Sequence, residues 1–213
     1  MPDLFEAEGP IELAEDAYLV PGYLARYSSE MIPLLRNILR MAPLRRMQVP
    51  GGGWMTSQIS GCGQVVWVSD LDGYRYSTID PLTGRAWPEM PDRLHQLAVQ
   101  SAAVVGFTDF SPDCCLINCY RPGTGMGLHR DKDERDFSAP IVSFSLGIPA
   151  VFLFGGHRRR DPVSRVTLEH GDLVVWGGKS RLYYHGIAKL ANATHSELGA
   201  LRINLTFREA LST

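Results

Sequence analysis

The chain has 213 residues, 45% of them hydrophobic and 21% charged, with a formal net charge of −2 and a pI near 6.3. That length and balance suit one ordinary globular domain with a sizeable core, a β-barrel without a second domain included. No apolar run reaches membrane-spanning length, the start M-P-D-L-F-E-A-E is acidic where a signal peptide is basic, and a near-neutral charge leaves room only for a local nucleic-acid footprint.

The chain is therefore expected in the cytosol, free of membranes and monomeric. Residues 1–27 are acidic and loosely patterned, an irregular arm with room for a short helix or strand. Ser28 or Ser29 then caps a helix in which Met31, Leu34, Leu35, Ile38 and Leu39 recur at helical spacing. Pro33 falls in its first turn, where a missing N–H is tolerated, and Pro43 ends it. Gly51-Gly52-Gly53 turns into a hairpin with strands over 55–60 and 64–68; without G-K-[ST] it is no phosphate-cradling loop. Tyr74, Tyr76, Trp87 and several prolines make 70–91 an ordered loop. A second helix, from Pro91 or Asp92 to Val105, buries Leu94, Leu97, Ala98 and Val104, and Gly106 stops it.

From residue 114 the pattern changes to short strands: 114–120, 126–130, 141–147, 150–155, 164–169, 172–176, 182–188 and 200–208. Separated by Gly and Pro turns, they predict a mainly β fold, a jelly-roll or cupin-like barrel with the N-terminal helices packed outside it. Cys62, Cys114, Cys115 and Cys119 form no C-x-x-C pair, and three crowd into one strand, so they are expected as reduced core thiols.

The chemistry centres on N-C-Y-R-P-G-T-G-M-G-L-H-R-D-K-D, residues 118–133. On an extended backbone His129 and Asp131 point to one side and can grip one metal ion. A two-His-one-carboxylate Fe(II) site needs one more His, and His185, in R-L-Y-Y-H-G-I, is the candidate. An isolated H-x-D is common without any metal. H-R-D also occurs in the kinase catalytic loop, but the required Asn is Asp136 here and no D-F-G follows. At the C-terminus, alternation puts Arg202, Asn204, Thr206 and Arg208 on one face of a strand and Ile203, Leu205 and Phe207 on the other. Two arginines facing a barrel interior would need anions such as a dicarboxylate; taken alone, an edge strand with a solvated polar face fits the pattern better. His157-Arg158-Arg159-Arg160, with Arg165, Lys179 and Arg181, fits a solvated loop or a phosphate contact equally.

His129-x-Asp131, His185 and R-x-N-x-T-x-R at 202–208, with N-x-Y at 118–120, together resemble the AlkB family of 2-oxoglutarate- and Fe(II)-dependent dioxygenases. I-D-P-L-T-G-R-A-W-P at 79–88, A-P-I-V-S-F-S-L-G at 139–147 and L-E-H-G-D-L-V-V-W-G-G at 168–178 extend the likeness over nearly the whole chain from about residue 15. The resemblance implies a double-stranded β-helix core over about 111–213 in a single domain, 1–213, with about 1–110 as an extension carrying a nucleotide-recognition lid. It implies Fe(II) on His129, Asp131 and His185, with 2-oxoglutarate and O₂ as co-substrates. Arg202 is expected at the 2-oxo acid's C1 carboxylate end, Arg208 at its far C5 carboxylate, and Asn118, Tyr120 and Asn204 as neutral hydrogen-bonding groups. The implied reaction is dealkylation of bases such as 1-methyladenine and 3-methylcytosine in DNA, or RNA, in single strands or after base flipping. Trp67 then matches the stacking aromatic, with His129 on the opposite face of the base, and Asp133 the carboxylate at its exocyclic amine. Tyr74 and Tyr76 match the stretch covering the base and its phosphates, and Arg159 another substrate-side residue. Trp67, between Val66 and Val68, also fits the core, and Asp133, in D-K-D-E-R-D, a solvated charge. Ile59 stands in place of a lid methionine and Ile203 in place of an aromatic, which bears on substrate preference and turnover. Other classes consistent with the residues are a dioxygenase acting on a protein or small molecule, and a cupin-like binding module without catalysis.

Overall fold

Polar–apolar alternation along Arg202–Arg208 decides which way the largest sheet faces. The computed structural model describes residues 9–211; the acidic first part of the expected arm, residues 1–8, lies outside the described residues. In chain order the strands are β1 (Ile11–Ala14), β2 (Ala17–Val20), β3 (Gln58–Gly63), β4 (Val66–Asp70), β5 (Gly73–Ser77), β6 (Ile79–Asp80), β7 (Arg85–Ala86), β8 (Cys114–Tyr120), β9 (Met126–His129), β10 (Ile141–Gly147), β11 (Ala150–Phe154), β12 (Ser164–Leu168), β13 (Leu173–Trp176), β14 (His185–Ile187) and β15 (Arg202–Arg208). Helix α1 (Ser28–Met41) precedes β3, and α2 (Asp92–Ala103) precedes β8.

A seven-stranded sheet, β1-β2-β13-β10-β15-β8-β3, faces a four-stranded one, β12-β11-β14-β9, with antiparallel pairing throughout. This is the mainly β jelly roll expected, and all eight strands predicted after residue 114 form. Strand β15 runs between β10 and β8 at the centre of the large sheet, so it is no solvated edge. Its Ile203, Leu205 and Phe207 pack outward with Ile117, Val142 and Phe144 against Met31 and Leu35 of α1 and Leu94 and Leu97 of α2. The helices therefore buttress the outer face. Between the sheets lies a second apolar cluster that includes Phe152, Phe154, Trp176 and Ile187.

Several local expectations change. The part of the arm from residue 9 on forms the β1–β2 hairpin, which extends the large sheet through β13. Ser28 is not a cap. A short 3-10 turn over Ala25–Tyr27 leads into α1, and the buried Ser28 hydroxyl lies 2.8 Å from His170 Nε2 instead. Pro33 consequently sits inside the helix, on its exposed side, where Ser29's carbonyl can meet water. Helix α2 ends at Ala103, with Val104 44% exposed, and Gly106 at φ +95° closes the turn as Phe107 N–H donates to Ala102 O.

The predicted 55–60/64–68 hairpin does not form. Strand β3 pairs with β8, and β4 turns instead into β5 across Leu71–Asp72. The competing turn signal was Asp72-Gly73: Asp70 Oδ1 accepts the Asp72 N–H at 3.0 Å, and Gly73 takes φ +126°. Close approach also demands Gly61 on β3, where a Cβ would stand 2.5 Å from Val66 Cγ1 and 2.7 Å from Cys115 O. The expected loop over 70–91 thus contains β5 and the short β6–β7 pair. All four cysteines are free and buried, as expected. No helix among the described residues is long and apolar enough to cross a membrane.

Because Leu205 is fully buried on the helix-facing side, Leu205→Ala should lower unfolding free energy by about 2–5 kcal/mol. Urea melts check this, and metal affinity should stay unchanged because the side chain points away from the inner face.

Candidate active site

The inner face of the large sheet and the small sheet enclose a cavity of about 460 Å³. Every residue singled out for metal, co-substrate or substrate lines it, from Trp67 and Tyr74 at one side to Arg202 at the other.

His129 ends β9 and His185 begins β14, and the two are direct cross-strand partners. Their rings lie 4.5 Å apart. Asp131 follows two residues past His129, its carboxylate 3.7 Å from His129 Nε2 and 3.9 Å from His185 Nε2. One donor atom from each of the three lies within 4.8 Å of the others, close enough to share an ion. Backbone carbonyls orient both imidazoles for metal binding. Nδ1 of His129 lies 3.0 Å from Gly127 O, and Nδ1 of His185 lies 3.0 Å from Tyr183 O. A carbonyl accepts only from a protonated Nδ1, which leaves each Nε2 as a bare lone pair facing Asp131. Burial, then the neighbouring His129, push His185 down to about 4, so it is neutral and ligand-ready at physiological pH. Burial alone would raise Asp131, but Arg208 and the two imidazoles outweigh it and hold the carboxyl well below the usual carboxylate range.

The two arginines of β15 differ in one decisive respect. Arg208 donates to Asp131 Oδ2 through Nη2 at 2.5 Å and Nε at 3.0 Å. Burial would lower its proton affinity, yet Asp131, Tyr76 and Glu134 hold it well above the ordinary value. Arg202 is 1% exposed and meets no carboxylate among the described residues. One Nη2 contact reaches Ser145 Oγ at 3.2 Å, while Nε and Nη1 have no hydrogen-bond partner. Burial accordingly lowers its pKa, with Tyr120 opposing. A buried guanidinium with spare donors calls for an anion. Asn118 Oδ1, likewise buried and unpartnered, and the Tyr120 hydroxyl, whose bond to Met126 Sδ spans 3.9 Å, stand along the same wall. Burial pushes Tyr120 up to about 12, which keeps its O–H as a donor.

Arg208 thus stands at the triad, whereas Arg202 is the one with donors to spare. Asn204 also lines the cavity; its amide donates to Ser143 Oγ and Phe144 O, and its Oδ1 accepts from Thr206.

On the other side of the cavity, Val66 and Val68 point into a core cluster while the half-buried Trp67 faces inward, so it is not simply core. Tyr74 stacks on it at 5.4 Å and 16°. Trp67 Nε1 donates to Asp133 Oδ2 at 2.8 Å, so Asp133 is exposed but not merely solvated. Arg159 lies exposed at the rim, in the basic loop between β11 and β12. The Tyr76 O–H donates to Glu134 Oε1 at 2.6 Å. Arg181, expected in a solvated or phosphate-contacting basic cluster, is instead buried against Glu134, and no local signal in D-K-D-E-R-D marks that fourth member as buried.

Three donors able to share an ion, with a lone cationic fork across the same cavity, define an oxygenase that joins iron to a 2-oxo acid, and similarity to known proteins agrees with that class. The family model of the 2OG-Fe(II) oxygenase superfamily matches residues 16–208. "Alpha-ketoglutarate-dependent dioxygenase AlkB" of Escherichia coli K12 is 46% identical over 212 residues, 99% of this chain and 98% of the relative. "DNA N(6)-methyladenine demethylase ALKBH1C" of Arabidopsis thaliana is 32% identical over 66% of this chain and 36% of its own length. The solved structure of OsALKBH1 superposes with a TM-score of 0.78 at 27% identity, covering 94% of this chain and 99% of that one. The chain belongs to the AlkB family of 2-oxoglutarate- and Fe(II)-dependent dioxygenases.

The depressed His185 has a consequence for the metal-free protein. As pH falls, the unfolded chain takes up a proton at the ordinary histidine value before the folded one does. The stability His185 contributes is complete above about pH 6.5 and is lost progressively towards about pH 4, by about 3 kcal/mol. Urea melts of metal-free protein across that window should show the slope, and His185→Gln should flatten it.

Proposed function

We propose that this protein removes alkyl groups from ring and exocyclic nitrogens of nucleobases in DNA, and in RNA where it meets it, as a cytosolic monomer acting on single strands or flipped bases. The observation that carries the substrate class is the aromatic pair Trp67–Tyr74 with Asp133, facing the triad across one cavity. An electron-rich aromatic wall beside a carboxylate suits a flat cationic ring, such as 1-methyladenine or 3-methylcytosine. The Arabidopsis relative's name as a DNA demethylase supports the same class. Residues from about 111 form the catalytic core on this reading, and the β4–β5 hairpin in the preceding extension is the lid over the base.

His129, Asp131 and His185 would hold Fe(II), and Arg202, Asn118 and Tyr120 would bind 2-oxoglutarate with Arg208 beside its metal-side end. When bound, iron and co-substrate supply the oxidation: 2-oxoglutarate leaves as succinate and CO₂, one oxygen atom of O₂ ends in succinate, and the other hydroxylates the N-alkyl carbon, which departs as an aldehyde. The chain's own work is placement. Arg202 anchors a carboxylate in a dry pocket where a bidentate fork is strongest. Gly127 and Tyr183 carbonyls hold the imidazole tautomers. Trp67 and Asp133 would hold the base ring, and Arg159 at the rim, with the exposed Arg158 and Arg160 beside it, would meet the phosphate chain.

Mass spectrometry of alkylated oligonucleotides incubated with Fe(II), 2-oxoglutarate and protein tests the reading. Restored bases are expected from the wild type and none from His129→Ala, Asp131→Ala or His185→Ala. Turnover of 2-oxoglutarate that no oligonucleotide stimulates would instead point to a protein or small-molecule substrate.

Arg202→Ala should weaken 2-oxoglutarate binding by at least about tenfold in titration calorimetry, since a hydrogen-bonded charge pair contributes roughly 1.5–3 kcal/mol. Oligonucleotide affinity should hold. Unchanged 2-oxoglutarate affinity removes Arg202 from the site.

Asp133→Ala should impair repair of charged lesions more than neutral ones. At an effective dielectric near 20, charges about 4 Å apart interact by roughly 4 kcal/mol before desolvation, so a preference shift of about tenfold or more is expected. The measure is the ratio of turnover efficiencies on 1-methyladenine and ethenoadenine; equal losses on both would assign Asp133 to holding Trp67 alone.

A further inference from the structure

The triad carboxylate and the lid hairpin are joined by four residues of chain. Asp131 stands at one end of this stretch. Two residues on, Asp133 accepts the Trp67 indole N–H at 2.8 Å, and next to it Glu134 accepts the Tyr76 phenol O–H at 2.6 Å. Trp67 and Tyr76 are direct cross-strand partners on β4 and β5. Two successive acidic side chains therefore hold both strands of the hairpin at one rung.

Glu134 is the member that substrate contact does not account for. It belongs to a run of charges, yet its side chain is only 1% exposed. Its Oε1, already bonded to Tyr76, lies 3.3 Å from Arg208 Nε. Its Oε2 lies 3.4 Å from Arg181 Nη2 but makes no well-directed hydrogen bond. Arg208 bonds the Asp131 carboxylate, and Arg181 donates to the backbone oxygens of Asp131 at 3.1 Å and Ala139 at 3.0 Å. The buried charges alternate in sign from Asp131 through Arg208 and Glu134 to Arg181, and the chain of contacts closes on Asp131 itself. In a dry site each such contact is strong, and moving one partner re-divides the others.

We infer that Glu134 is a positioning residue that couples the seating of the β4–β5 hairpin to the orientation of Arg208, and through it to Asp131 and the co-substrate. Tyr76 supplies the lid's only hydrogen bond to Glu134 among the described residues. With the hairpin seated, Oε1 is shared between Tyr76 and Arg208. With it lifted, Oε1 has Arg208 alone, and Arg208 must divide itself differently between Glu134 and Asp131. Coupling of this kind is reciprocal: filling the metal and 2-oxo acid positions at Asp131 and Arg208 seats the hairpin, and seating the hairpin orders those positions. The inference rests on the proposed roles of Asp131 and Arg208 and adds to them a link between substrate cover and the oxidising centre.

Hydrogen exchange of the hairpin amides, residues 66–77, tests the link without turnover. Exchange is followed in metal-free protein and with Mn(II) plus 2-oxoglutarate, in the wild type, Tyr76→Phe and Glu134→Gln, while calorimetry reports 2-oxoglutarate binding in each. Wild type should show exchange slowed at least about fivefold by the added pair. Tyr76→Phe, which keeps every charge and the ring, should lose that slowing while its 2-oxoglutarate affinity stays within about threefold of wild type. Glu134→Gln should lose the slowing and bind 2-oxoglutarate more weakly as well. A purely structural Tyr76–Glu134 bond would speed exchange equally with and without ligand, leaving the ratio as in wild type. That ratio in Tyr76→Phe overturns the inference even if Glu134→Gln fails to fold, as does a wild-type hairpin indifferent to ligands that calorimetry shows bound. Absence of 2-oxoglutarate binding in the wild type sinks the proposed function itself, and the inference falls with it.

Discussion

The buried pair between Arg208 and Asp131 is the constraint on which the cavity depends. Arg208 belongs to β15 in the large sheet, whereas Asp131 follows β9 of the small one, so the pair clasps the two walls across the cavity. Each partner would be costly to bury alone, and together they satisfy only part of each other's capacity. Asp131 keeps an oxygen 3.7 Å from His129 Nε2, and Arg208 keeps a buried Nη1 without a partner. The clasp therefore holds the walls at a fixed separation and still leaves groups facing inward that need an ion and an anion. A site that is short of partners among its own residues is complete only with its ligands in place.

The rest of the fold divides rigidity unevenly around that clasp. The wall carrying Arg202 and Arg208 is the centre of a seven-stranded sheet backed by α1 and α2, with Leu205 and Phe207 fully buried behind the arginines. By contrast, β4 and β5 pair only with each other. They rest on a smaller cluster around Val66, Val68 and Trp87. An element with few layers over it opens at lower cost than a central strand. On the proposed roles, the groups that hold a small invariant co-substrate thus sit on the stiff wall, and the aromatic groups that must admit a nucleobase sit on the element best able to move.

What was legible in the sequence follows from the range of the interaction that fixes each feature. The alternation of Arg202, Asn204, Thr206 and Arg208 is a two-residue period, and it put both arginines on one face of a strand without any partner being known, though not whether that face met solvent or the barrel interior. His129-x-Asp131 was legible for the same reason, and the eight-strand pattern after residue 114 followed from closely spaced turns. Pairing between distant segments was not legible. Strand β3 reads as one arm of a local hairpin, but its partner is β8, more than 50 residues on, and only the Asp72-Gly73 turn hinted that β4 would pair forward. The two arginines showed their face but not their neighbours: that Arg208 meets Asp131 while Arg202 meets no carboxylate among the described residues depends on segments distant in the chain. Glu134 stayed hidden because burial of a charge depends on Arg181, Arg208 and Tyr76 arriving from three other elements, and nothing within D-K-D-E-R-D records that.

The modest net charge of −2, which argues against a nucleic-acid protein in the aggregate, becomes intelligible once charge is read by depth. On the proposed substrate the reacting ring is a cation and the chain that carries it is a polyanion. One binding surface must therefore present opposite signs a few ångströms apart. Asp133 bonds the Trp67 indole at the aromatic wall, while Arg159 lies at the rim of the same cavity and its neighbours Arg158 and Arg160 are exposed. A protein that met this demand with a broad basic surface would hold the backbone strongly but repel the charged base from its pocket. Within about a Debye length, roughly 8–10 Å at physiological salt, local placement outweighs the total. The sum over the chain can stay near zero because the recognition problem itself is close to neutral: a carboxylate for the lesion, guanidiniums for the strand, and a pocket in which Asp131, Glu134, Arg181 and Arg208 cancel among themselves.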